Sequence, residues 1–113
     1  MEATELMQGI SQVEACADKA KYAVRSGHSP GEVHTYVDSL HQLASQAKKD
    51  AARNPDENEL RDLVMQIEQV ADRALEACRK GGEQVDPQTR EAVQRAHAEA
   101  SKLQRQMSAG STA

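Results

Sequence analysis

The sequence predicts an all-α protein, an up-down-up-down four-helix bundle, and three observations carry that prediction. First, apolar residues make up 38% of the chain while aromatics make up 2%, with no Phe or Trp. A core built from Leu, Val, Ile, Met and much Ala suits closely packed helices, because Ala is the best helix former and permits short interaxial distances. Strands favour β-branched and aromatic side chains, which are scarce here. Second, apolar residues recur in alternating steps of three and four, the seam of left-handed bundle packing. Third, a polar residue precedes each of the three prolines, at Ser29-Pro30, Asn54-Pro55 and Asp86-Pro87. Each pair reads as an N-cap followed by proline at the first helical position, where its missing N–H costs nothing.

These marks divide the chain into helices at about 3–26, 30–52, 55–80 and 87–107, a single domain. The first helix carries Leu6, Ile10, Val13, Ala17, Ala20 and Val24 on one face. The second carries Val33, Val37, Leu40, Ala44, Ala47 and Ala51, opened by Ser29 and Glu32 in the outline of a capping box. The third has the widest stripe, Leu60, Leu63, Val64, Ile67, Val70, Ala71, Ala74, Leu75, Ala77 and Cys78, with Asn54 and Glu57 as its capping outline. The fourth is thinner, with Val93, Ala96, Ala100, Leu103 and Met107. Short connections make successive helices antiparallel. The competing architecture is an open pair of hairpins that closes only on dimerisation. The last six residues, 108–113, are small and polar and are expected to form a disordered tail.

An internal echo suggests two tandem helical hairpins. Leu6, Ile10, Ala17 and Ala20 match Leu63, Ile67, Ala74 and Ala77 at an offset of 57. The segments HQLAS (41–45) and HAEAS (97–101) match at 56, as do Val37 with Val93 and Ala44 with Ala100. A duplicated hairpin with altered loop length accounts for both offsets, the alternative being convergence on one heptad pattern rich in Ala and Val.

Charge and composition exclude several functions. A net charge of −4 with scattered basic residues offers no nucleic-acid footprint. No apolar run approaches the ~20 residues that span a bilayer, and no signal-like segment opens the chain, so no membrane partner is expected and the location is read as cytoplasmic. Two cysteines inside helical patterns read as reduced thiols rather than a disulfide framework.

Chemistry-bearing residues form no convergent constellation in the sequence. His34 and His41 stand seven residues apart on the flank of the second helix, about 10 Å along its axis and too far apart to share one metal. His97 takes the matching flank of the fourth helix, on the diagonal from His41. Ser45 and Ser101 follow their histidines by four residues, yet a regular helix supplies no oxyanion hole. No metal, cofactor or catalytic residue is therefore expected, and the chain reads as a non-enzyme. Cys16 and Cys78 are the candidates for thiol redox sensing, the alternative being a ligand-binding bundle. Tyr36 and Leu43 widen the stripe of the second helix opposite His34 and His41. Those four residues and His97 are the candidates for contacting a protein partner, or a second copy in a homodimer. The leading expectation is a protein–protein interaction module acting as an adaptor, regulator or assembly partner.

Overall fold

The computed structural model describes residues 3–53 and 56–111. They form α1 (Ala3–Ser26), α2 (Gly31–Arg53), α3 (Glu57–Gly81) and α4 (Pro87–Ser111), with a short 3-10 turn at Gly82–Gln84. Among the described residues there is no strand. The helices close a square: α1 packs on α2 and α4, and α3 packs on α2 and α4. Cross-helix contacts give the directions. On α1 and α2, Asp18 meets His41 and Glu14 meets Lys48, so numbering rises on one helix as it falls on the other. On α3 and α4, Asp72 meets His97 and Glu68 meets Ser101 in the same sense. The four-helix bundle expected from the sequence is the observed fold, and it closes within one chain.

The core follows the stripes. Every apolar position expected on the first, second and fourth helices is buried. On α3, Val70 and Leu75 are only half-buried and pack against the core from its edge. One cluster runs through all four helices from Leu6, Leu60 and Met107 to Ala17, Leu40 and Ala71. A second fills the opposite end with Ala20, Val24, Val33, Val37, Ala74, Cys78, Val85 and Val93.

The start of α4 keeps its expected cap, while those of α2 and α3 do not. Asp86 is the cap of α4, its carbonyl accepting from Arg90 N at 3.0 Å, and Pro87 takes the first helical position as read. At α2 the first carbonyl to accept is that of Pro30, from Val33 N and His34 N, so the cap falls one residue late. The Ser29 hydroxyl, buried and without a hydrogen-bond partner among the described residues, does not cap. At α3 the cap is Asp56, whose Oδ1 accepts from Asn58 N at 2.9 Å and Glu59 N at 3.5 Å. Asn54 and Pro55, the expected cap pair there, lie outside the described residues. An aspartate carboxylate accepting two orphan N–H groups beside the positive helix end is a strong cap. Asp56→Ala is expected to cost about 1 kcal/mol in urea unfolding, an effect that 1 M NaCl only partly screens. The helix of α4 runs to Ser111, beyond the Met107 end of its apolar stripe, while 112 and 113 lie outside the described residues.

The loops at one end are tied together. Asp86 N donates to His28 O at 2.9 Å, joining the α1–α2 connection to the α3–α4 connection. Gly27 lies against Asp86, so close that a Cβ there would stand 2.6 Å from the carboxylate. Gly82 closes α3 at φ 54°, a conformation L side chains rarely adopt, and its carbonyl accepts from the Arg90 guanidinium.

The structure also resets the register of the repeat. Glu14 and Asp18 on α1 correspond to Glu68 and Asp72 on α3, an offset of 54 rather than 57. At that offset Leu6, Ile10, Val13, Ala17, Ala20 and Val24 correspond to Leu60, Val64, Ile67, Ala71, Ala74 and Cys78, all buried. The 56-residue offset of the second helix stands: His41 and His97 make equivalent contacts. The discrepancy of three is close to one helical turn, so both registers align apolar residues on the same face.

Candidate functional site

Two kinds of surface feature are built by this frame: a pair of His–carboxylate clusters and a groove between α1 and α4.

Each cluster joins the two helices of one hairpin. Glu14 and Asp18, at i and i+4, project from one face of α1, because residues four apart are neighbours on a helix surface. His41 reaches them from α2, its Nε2 lying 2.6 Å from Asp18 Oδ1. The second hairpin repeats the arrangement: Glu68 and Asp72 on α3, His97 on α4, with Nε2 2.9 Å from Asp72 Oδ1. In each cluster the three ligating atoms lie within 4.8 Å of one another. The histidines and glutamates are half-buried while both aspartates are exposed. The surroundings differ: Lys48 Nζ stands 3.5 Å from Glu14 Oε1, whereas Glu68 Oε2 accepts from Ser101 Oγ at 3.4 Å.

The groove has a volume of about 700 Å³ and is lined by α1 and α4, with His41 at its edge. Ala23 and Ala92 contribute apolar surface, and Tyr22 stands in it 75% exposed. Lys19, Lys21, Arg25 and Arg95 line it against only Asp18 and Glu91. Among the described residues none of those four cations makes an ion pair. A locally cationic groove thus sits on a chain of net charge −4.

The expected site residues are dispersed by this geometry. Tyr36 and Leu43 pack against the core as half-buried side chains. His34 is half-buried on α2 and lines neither cluster nor groove. His41 and His97 do not face each other; each contacts the aspartate of its own hairpin. Cys16 is half-buried in α1 and Cys78 is buried in α3, both as free thiols. In the observed register Cys78 stands level with Val24, eight residues beyond Cys16, or about 12 Å along the bundle. Burial pushes the Cys16 thiol above its ordinary value, with Glu99 adding to the rise and Lys19 and Arg95 opposing it. Burial likewise raises Cys78 against the pull of Arg90. A raised thiol pKa means less thiolate, the nucleophilic form, at neutral pH.

The acids were the part sequence reasoning missed. Glu14 and Asp18 and their counterparts Glu68 and Asp72 share a four-residue spacing that was readable in advance. Their convergence on a histidine depends on the neighbouring helix, which no local pattern announces. Comparison with protein-family models, curated proteins and solved structures found no match to this chain.

Proposed function

We propose that the chain is a small non-enzymatic interaction module whose α1–α4 groove takes an acidic amphipathic segment of a protein partner. The groove carries this reading: alanine floor, an exposed tyrosine and four cations with no ion pair among the described residues. Tyr and Arg are the residue types that dominate binding energy at protein interfaces, and an amphipathic helix laid in a groove is a recurrent mode of recognition. Opposite charge on the partner would speed encounter and make binding salt-sensitive. The residues expected beforehand contribute at the margin, through His41. Free cysteines suit a cytoplasmic setting, where thiols stay reduced. Redox sensing through Cys16 or Cys78 is the weaker reading, because burial raises both thiols and so lowers the share of reactive thiolate.

Affinity capture from the native host, with the wild-type chain and the Tyr22→Ala/Arg95→Glu variant as parallel baits, tests this reading. The expected result is a partner retained by the wild type and lost, or bound at least tenfold more weakly, by the variant, with elution by moderate salt. Equal capture by both baits defeats the groove. Sedimentation of the purified chain tests the competing occupant, a second copy. A dimer that the same variant dissociates would assign the groove to self-association instead.

A further inference from the structure

We propose that Glu14–Asp18–His41 and Glu68–Asp72–His97 are a matched pair of divalent transition-metal sites, one clamping each hairpin. Each offers one imidazole nitrogen and two carboxylate oxygens. A metal bound at about 2.1 Å to three ligands holds their atoms within about 4.2 Å of one another. The clusters already hold theirs within 4.8 Å, so a small side-chain rotation closes each set. Imidazole selects first-row transition ions over Mg2+ and Ca2+, which prefer all-oxygen sets. Three protein ligands with an exposed aspartate leave a fourth position for water, the arrangement of open zinc sites.

Repetition separates these clusters from incidental surface ion pairs. The acids lie off the buried stripe, so core packing does not require their recurrence. Yet the same three residue types recur in both hairpins, across unequal offsets of 54 on the first helix of each hairpin and 56 on the second. A lone exposed His–Asp pair contributes at most about 1 kcal/mol and needs no third ligand. Here the third ligand is present in both copies.

The two sites are unequal. The ammonium of Lys48 competes for Glu14, while the position equivalent to Lys48 in the second hairpin is Gln104. Ser101 instead donates to Glu68 and helps orient it, an outer-shell role that strengthens ligation. The second hairpin therefore holds the tighter site.

Titration of the purified full chain with Zn2+, followed by calorimetry and native mass spectrometry, tests the proposal without any partner and so independently of the groove. The expected result is two ions per chain, bound with different affinities, and a rise in the thermal midpoint that chelator reverses. Mg2+ should give neither. His97→Ala or Asp72→Asn should weaken the tighter site at least tenfold, and His41→Ala or Asp18→Asn the weaker one. The Asn variants keep side-chain shape, and helical circular dichroism shows that they remain folded. Lys48→Gln should tighten the weaker site. No zinc uptake, or uptake unchanged in the histidine and asparagine variants, overturns the proposal, as does uptake lost only on replacing Cys16 and Cys78 with Ser. A single ion lost with His97 alone overturns the pairing.

Discussion

Leu40→Ala should lower the free energy of unfolding by about 4 kcal/mol, toward the upper end for leucine truncations. The two His–Asp contacts fix the height of this layer. Beside His41 and Asp18 lie Leu40 and Ala17; beside His97 and Asp72 lie Ala96 and Ala71. All four are buried and three are alanines, so Leu40 is the one large side chain among them. Alanine side chains cannot move in to close the gap, and a cavity that stays open costs the most. Against a total stability on the order of 5–15 kcal/mol, this loss removes between about a quarter and four fifths of the total. Urea titration followed by circular dichroism measures it. Leu40→Met, which conserves volume, should cost less than about 1.5 kcal/mol. A loss below about 2 kcal/mol for the alanine variant would mean that the helices collapse around the site.

Thr89→Val should act in the opposite direction and stabilise the fold by about 1–2 kcal/mol. Thr89 is fully buried on α4, and its hydroxyl has no hydrogen-bond partner among the described residues. A buried hydroxyl without a partner carries its desolvation cost of roughly 1–3 kcal/mol, whereas valine has the same shape and no polar atom. The other hairpin supplies the precedent: Val33, 56 residues earlier, occupies the equivalent position and is also fully buried. The midpoint of urea unfolding should rise with an unchanged slope. A destabilised variant would show that a buried water satisfies Thr89 and is lost with the hydroxyl.

The bundle was legible because its determinants are local. Steps of three and four along each helix, prolines near helix starts and short connections together leave few alternatives to an antiparallel four-helix square. The register between halves was not legible. Leu6 aligns equally well with Leu60 or Leu63, and Ile10 with Val64 or Ile67, since apolar stripes look alike after nearly one turn. Contacts between helices discriminate, through Asp18 with His41 and Asp72 with His97. Caps failed where a proline drew attention to the wrong residue: Asp56, two positions after Asn54, has the carboxylate that reaches the free N–H groups. The histidines were visible as a flanking pair, but reading them along a single helix hid their partners. The groove was not readable at all, since Tyr22, Arg25 and Arg95 converge only when α1 lies beside α4.

The unequal layers have a consequence for how the two hairpins recognise each other. Where α2 has Leu40, Ala47 and Ala51, the equivalent positions of α4 hold Ala96, Leu103 and Met107. Large therefore stands level with small at three layers, the large residue being on α2 at Leu40 and on α4 at Leu103 and Met107, while Ala44 and Ala100 match. Two copies of the first hairpin would set Leu40 against Leu40 and, two and three turns away, alanine against alanine, crowding one layer and hollowing the others. Two copies of the second would make the complementary error. The large and small residues of the two halves are thus complementary rather than identical, so each hairpin fits the other better than it would fit a copy of itself.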